Sequence, residues 1–161
     1  KDGEIVDPFA PEDPAGGVCD TAAEPSATLW AGTDLPMLQY QPAFVLNAGF
    51  TNDVLTMEEV ESGVWQDTQP SASSPALVFF GRAIGLETGD IQRLTIIAPD
   101  GAEFAADAVA PLDRPKAQFF AFVGRKRSQG PWLTGPYTGR YAVIRSGEEI
   151  AFSEVVTEIT E

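Results

Sequence analysis

Short apolar runs separated by turn signals are the feature that most constrains the fold of this 161-residue chain. Each run is short for a helix and rich in β-branched and aromatic residues, which is typical of strands. Asp100-Gly101 and Ser146-Gly147 lie between neighbouring runs and favour hairpin turns. The pattern predicts an all-β fold, a β-sandwich of about seven strands. The predicted strands cover residues 43–50, 76–84, 91–98, 102–109, 117–123, 137–145 and 149–159.

One segment departs from this pattern and predicts a single short helix. Thr56 is followed three positions later by Glu59, which is the spacing of a capping box at a helix N-terminus. Met57, Val60 and Val64 then fall on one helical face, and Gly63 limits the length. We therefore expect about two helical turns between the first and second strands.

The N-terminal part of the chain predicts a different organisation. Residues 1–8 read as the end of a hairpin, because the turn pair Asp2-Gly3 precedes the apolar pair Ile5-Val6. Five prolines then fall within residues 8–36, together with Gly16-Gly17, so residues 9–36 are predicted to be a Pro/Gly-rich linker or strap. The β-sandwich is expected to occupy residues 37–161.

The composition excludes several kinds of catalysis. Histidine is absent and Cys19 is the only cysteine, so the chain can form no Ser-His-Asp or Cys-His relay and no internal disulfide. A zinc site with imidazole ligands is excluded for the same reason. A hydrolase that uses only carboxylates stays an alternative. The acid pairs Glu58-Glu59 and Glu148-Glu149 are predicted on a helix surface and at a turn, and neither position is the apolar pocket that a catalytic acid needs. We expect no catalytic, cofactor-binding or metal-binding residue in this chain.

The charge is strongly negative and uneven. The chain has 10 Lys and Arg against 24 Asp and Glu, a formal charge of −14. Residues 1–80 contain one base and 13 acids, and residues 81–161 contain nine bases and 11 acids. This balance disfavours binding to nucleic acid and to anionic membrane surfaces. No apolar run approaches the length of a membrane span, so membrane insertion is not expected.

The candidate interaction surface lies in the last third of the chain. Arg125, Lys126 and Arg127 form the single strongly basic cluster, and residues 124–135 are predicted to be a polar loop. Trp132 and Tyr137 follow, within a wider aromatic set that could either stack on sugars or pack in the core. Adjacent phenylalanines point to opposite faces of a strand, so at least one of Phe119 and Phe120 must face the core. Both alternatives stay open.

The first residues, KDGEIVDPF, resemble the closing strand of LytM/lysostaphin-type zinc metallopeptidases, which cleave peptidoglycan. In that family the strand follows the His-x-His ligand pair and ends in a Val-[Asp/Asn]-Pro pattern. Val6-Asp7-Pro8 would match this end, and the histidine pair would lie just before Lys1. The resemblance implies that residues 1–8 are the tail strand of a preceding peptidase domain.

Later segments resemble the immunoglobulin-like C-terminal extension of some proteobacterial members of this family. They are the Pro-rich strap with Cys19, YQPAFVLNAGF, the helix ending in Ser-Gly, PALVFFGR, GDIQRLTIIAPDG and the terminal hairpin. No zinc ligand or catalytic residue of the family maps onto this sequence, because both kinds of residue are histidine-based.

The resemblance implies a non-catalytic accessory domain that positions or regulates the catalytic domain of a peptidoglycan metallopeptidase. Zinc is then expected in the preceding domain and not in this chain, and the localisation is expected to be periplasmic or in the cell envelope. The implied partners are the preceding domain and, beyond it, peptidoglycan or an envelope protein. The alternative is a free-standing carbohydrate- or protein-binding β-sandwich that uses Trp132 and Tyr137.

Overall fold

The structure is a computed structural model that describes residues 42–161, and Pro42–Glu161 form one compact unit. The predicted tail strand 1–8, the predicted strap 9–36 and Cys19 lie outside the described residues. None of the helices in the described part of the chain is long and apolar enough to cross a membrane.

Within residues 42–161 the seven predicted strands and the predicted helix are all present. The α-helix α1 (Met57–Ser62) begins at the Thr56 capping box and ends at Gly63, whose φ of +79° favours glycine. A 3-10 helix, Val64–Asp67, follows directly and was not predicted. The strands are β1 (Phe44–Thr51), β2 (Ala76–Leu86), β3 (Ile91–Ile97), β4 (Glu103–Ala108), β5 (Lys116–Lys126), β6 (Gly135–Arg145) and β7 (Glu148–Ile159).

The seven strands form two antiparallel sheets that pack face to face. One sheet has the order β1-β2-β5 and the other the order β4-β3-β6-β7. The chain changes sheet after β2, after β4 and after β5, as in an immunoglobulin-like sandwich. The prediction of an all-β sandwich with about seven strands and one short helix is therefore confirmed for residues 42–161.

The end of β5 corrects one sequence-based boundary. Residues 124–126 were predicted to begin a loop, but Gly124, Arg125 and Lys126 continue β5 and pair with Val78, Leu77 and Ala76 of β2. A Cβ atom at Gly124 would lie 2.4 Å from the carbonyl oxygen of Leu77. The missing side chain therefore permits the close approach of β2 that extends the strand.

Two glycines allow aromatic rings to lock the sheets together. Phe79 of β2 lies against Gly139 of β6, where a Cβ would come within 2.4 Å of the ring. Tyr141 of β6 lies against Gly81 of β2, where a Cβ would come within 2.2 Å. Both rings are fully buried. We call this reciprocal arrangement the glycine–aromatic interlock, and it holds β2 of one sheet against β6 of the other at the centre of the core.

An outer layer covers part of the three-stranded sheet on the side away from the core. Val60 of α1 is buried, and the indole of Trp65 meets the Phe80 ring edge to face at 5.0 Å. Glu61 forms an ion pair of 2.8 Å with Arg82 of β2 and accepts a hydrogen bond from Gln118 of β5. The α-helix and the 3-10 helix are thereby anchored to all three strands of this sheet, since Trp65 also packs on β1.

An ion pair with a fully buried carboxylate joins the β2–β3 turn to the end of β6. The guanidinium of Arg145 donates to both carboxylate oxygens of the buried Asp90, at 2.9 and 2.8 Å, and Nη1 pairs with Glu87 at 2.7 Å. Burial raises the pKa of Asp90, but the Arg145 hydrogen bonds, the Glu87 backbone N–H and the Arg145 charge together lower it below its ordinary value. This cluster therefore serves the fold and holds a turn in place.

The interlock predicts that a single methyl group at either glycine destabilises the fold. We expect Gly139→Ala to lower the free energy of unfolding by about 2 kcal/mol, because the buried Phe79 ring has no room to retreat. Urea unfolding of the full chain measures the loss. In the double variant Gly139→Ala/Phe79→Leu, the smaller Leu side chain leaves room for the added methyl group. We therefore expect its loss of unfolding free energy to be about 1 kcal/mol smaller than the sum of the losses in the two single variants. Neutral effects of both Gly139→Ala and Gly81→Ala would contradict the interlock.

The Asp90 contact predicts a pH-dependent stability. A lowered carboxyl pKa stabilises the fold above the unfolded pKa of about 4, and this contribution is lost as the pH falls through the folded pKa. We expect Asp90→Asn to cost about 3 kcal/mol at pH 7, since it leaves Arg145 without a counter-charge at that position, and to cost less towards pH 3. Urea unfolding across this range tests the expectation. Glu154→Gln, at an exposed and loose pair with Arg140, is the control and should cost less than about 0.5 kcal/mol.

Candidate binding surfaces

The three basic residues predicted as an interaction surface have two different roles. Arg127 is exposed, yet its guanidinium donates to the carbonyl oxygens of Ser74 at 3.0 Å and Gly130 at 3.2 Å. Its backbone N–H also donates to the Pro75 carbonyl at 2.7 Å, so Arg127 ties the loop after β5 to the start of β2. The guanidinium carbon of Arg125 lies 5.3 Å from the centre of the Phe104 ring, and both Arg125 and Lys126 are exposed. Arg125 and Lys126 therefore present their charges to solvent at the end of β5.

The two aromatic residues predicted for the same surface are taken up by packing. Tyr137 is 1% exposed, and burial, followed by the charge of Asp100, raises the pKa of its phenol. The half-buried Trp132 donates from its indole N–H to the Ser74 carbonyl at 3.0 Å. Both rings meet Phe104 edge to face. Tyr137 thus belongs to the core, and Trp132 anchors the loop that contains Ser74.

Strand β5 has an open edge with an apolar outer face. Among residues 42–161 it pairs with β2 on one side and with no strand on the other. On its outer face the ring of Phe122 is 42% exposed and lies 5.7 Å from the ring of Phe120. Lys126 lies on the same face at the end of the strand. It is four residues beyond Phe122, and alternate residues of a strand point to the same face. The open edge, these two rings and Arg125 and Lys126 are called here the β5 surface.

A second surface lies where the outer layer meets the edges of the two sheets. A groove of about 260 Å³ runs between β1 and β7 and is bounded on one side by the 3-10 helix and the loop that follows it. Residues 48–50 of β1 and residues 155–157 of β7 form two of its sides, and the third consists of Trp65, Gln66, Thr68, Gln69 and Pro70. None of these lining residues carries a charge, in a chain whose formal charge is −14.

Trp65 is positioned in this groove by a third close contact between a glycine and an aromatic ring. A Cβ at Gly49 would lie 2.5 Å from the six-membered ring of Trp65 and 3.3 Å from Phe80. The bare backbone of β1 therefore lets the indole rest on the sheet. The indole Nε1 of Trp65 is shielded from solvent and has no hydrogen-bond partner among the described residues. The same is true of Asn47 Oδ1, which lies on β1 two residues before Gly49.

Neither Trp65 nor the groove was predicted from the sequence. The signal was present in the run from Trp65 to Pro70, which places an indole, two carboxamides and a hydroxyl within six consecutive residues. Its partner Gly49 lies far away in sequence, and nothing in the sequence links the two. Within residues 42–161 no group of three or more Asp, Glu, Cys or His side chains is arranged to hold a metal ion.

Comparison with known proteins gives a likeness at the level of solved structures alone. No protein-family model matches the chain, and no curated protein sequence matches it. The structural matches include a β-glucuronidase from Bifidobacterium dentium, with 13% identity over 74% of this chain and a TM-score of 0.43. They also include a glycosyl hydrolase family 2 member from Bacteroides cellulosilyticus, with 12% identity over 73% of this chain and a TM-score of 0.43.

A third match is a protein described as a putative β-galactosidase from Bacteroides fragilis, with 14% identity over 53% of this chain and a TM-score of 0.37. The chain spans 18%, 15% and 14% of the lengths of these three proteins. Likeness at this level carries no information about what the chain binds or does. The strand order within residues 42–161 shows a small β-sandwich domain by itself.

Proposed function

We propose that this chain is a non-catalytic accessory domain of a periplasmic peptidoglycan metallopeptidase and that it positions or regulates the catalytic domain through the β5 surface. The observation that carries the proposal is a concentration of unpaired positive charge beside an open sheet edge. The resemblance of residues 1–8 to the closing strand of LytM/lysostaphin-type peptidases supplies the identity of the partner.

The charge distribution supports an acidic partner. Residues 114–147 contain seven Lys and Arg residues and no Asp or Glu, although the whole chain has 24 acids. Arg140 and Arg145 form ion pairs with acids from other segments. The other five make no ion pair with a described residue, and they lie at the two ends of β5: Arg114, Lys116, Arg125, Lys126 and Arg127.

The edge geometry supports an extended segment as the part of the partner that binds. An open antiparallel edge offers backbone N–H and C=O groups to an added strand, and the outer face offers an apolar contact at Phe122. A second copy of the chain suits this edge poorly. In a symmetric antiparallel pairing Lys116 would face the cations at the other end of β5, so like charges would meet. An acidic strand of the catalytic domain would instead bring opposite charges together along β5.

Reversing the charge of the β5 surface tests this proposal. We expect Arg125→Glu/Lys126→Glu to weaken the association of the chain with the separately produced peptidase domain by about tenfold at low salt. The difference should shrink as salt is added, because exposed charges are screened. Isothermal titration calorimetry at two ionic strengths measures both effects.

Arg93→Glu is the control for a single charge reversal away from the β5 surface. Arg93 is exposed on β3 in the other sheet and makes no ion pair with a described residue, so its reversal changes the net charge without touching the β5 surface. Equal weakening by Arg93→Glu would contradict a localised interface. Hydrolysis of cross-linked muropeptides by the purified chain alone would contradict the non-catalytic role.

The parent protein can be identified independently. The coding region directly upstream of Lys1 is expected to encode His-x-His, with His-x-x-x-Asp further upstream. A start codon or a signal peptide in that place would contradict the peptidase parent. The alternative of a free-standing binding module would then lead, and the uncharged groove is the observation that favours it.

A further inference from the structure

The groove beside Trp65 has a lining that restricts the chemistry of any ligand. The polar side chains are carboxamides and hydroxyls, those of Gln66, Thr68, Gln69 and Thr157. Carboxamides and hydroxyls each donate and accept hydrogen bonds. No lining residue offers a counter-charge, so an ionic ligand would lose its hydration without gaining an ion pair.

The apolar part of the lining adds a flat contact surface. Trp65 presents an indole that rests on the backbone at Gly49 and against Phe80, so its orientation is held by the sheet below it. Trp and Tyr rings commonly lie at binding surfaces that are apolar at one end and polar at the other. Val156 of β7 is 60% exposed on the opposite side of the groove and supplies a second apolar contact.

The size of the groove fits a small uncharged molecule. Its volume of about 260 Å³ holds about nine water molecules, which is comparable with one sugar ring. The lining and the volume therefore favour a ligand that is neutral, rich in hydroxyl or amide groups, and flat on one side. A pyranose meets these conditions, because its equatorial hydroxyls radiate from a ring with C–H faces.

We propose that the groove between β1, β7 and the 3-10 helix is a binding site for one ring of a neutral saccharide. The indole of Trp65 stacks on the sugar ring, and the carboxamides of Gln66 and Gln69 bind its hydroxyl or acetamido groups. Asp67 lies on the 3-10 helix between them but is not part of the lining, so the site stays uncharged. This site is separate from the β5 surface and is independent of the proposed role of that surface.

Saccharide titration of the ¹⁵N-labelled full chain is the direct test. The probes are tetra-N-acetylchitotetraose and cellotetraose, which separate an N-acetylhexosamine from a plain hexose as the source of the ring. Tetragalacturonic acid, which adds carboxylates to a similar ring, is the charged comparison. We expect at least one neutral tetrasaccharide to move the Trp65 indole resonance in a saturable manner. The Trp132 indole resonance should stay in place, because that N–H is bonded to Ser74.

Side-chain variants assign the binding to the groove. Trp65→Ala is expected to weaken binding by about tenfold or more, the equivalent of one lost aromatic contact. Since Trp65 also packs on Phe80, Gln69→Ala is the variant that leaves the fold intact, because Gln69 is exposed in a loop. It should weaken binding severalfold without changing the urea midpoint. Gln129→Ala, at an exposed glutamine outside the lining, is the matched control and should bind like the unmodified chain.

The outcomes divide cleanly. A saturable shift of the Trp65 resonance that Gln69→Ala weakens and Gln129→Ala does not supports the site. No shift with either neutral tetrasaccharide overturns it, and so does stronger binding of tetragalacturonic acid. Binding that is lost in Arg125→Glu/Lys126→Glu and kept in Trp65→Ala overturns the groove while leaving the β5 surface as the binding site.

Discussion

The reciprocal contact of two aromatic rings with two glycines is the interaction on which the rest of the structure depends. Phe79 occupies the space above Gly139, and Tyr141 occupies the space above Gly81, so each sheet supplies one ring and one gap. The two contacts hold β2 and β6 at a defined position across the core, because an added methyl group at either glycine would overlap a buried ring.

Both candidate sites lie at the edges of the described sheets. The edge strands are β1 and β5 in one sheet and β4 and β7 in the other; the β5 surface lies at one of these edges, and the groove lies between β1 and β7. The third glycine contact, between Gly49 and Trp65, uses the same principle on the outer face of the sheet. A ring supported by a rigid strand presents a more constant surface than one on a loop. The basic charges of the β5 surface are placed in the same way, since Arg125 and Lys126 extend a paired strand.

Much of the fold could be predicted from the sequence, and little of the candidate site could. The strands and α1 follow from local patterns: turn pairs, β-branched runs and the Thr56 capping box. The contact of Gly49 with Trp65 joins residues from two separate elements, and no local pattern reveals it. Tyr137 shows the converse, because a Tyr after a polar loop reads equally as a surface or a core residue. Tertiary packing placed it in the core.

Residue-resolved native-state hydrogen exchange of the full chain tests the central role of the interlock most directly. We predict that the hydrogen-bonded amides of residues 79–83 and 139–143 exchange only through global unfolding and are therefore the slowest in the described part of the chain. The amides of α1 and the 3-10 helix should exchange through local opening at a lower free energy. Faster exchange in the centre of β2 or β6 than in β3 or β7 would contradict the account.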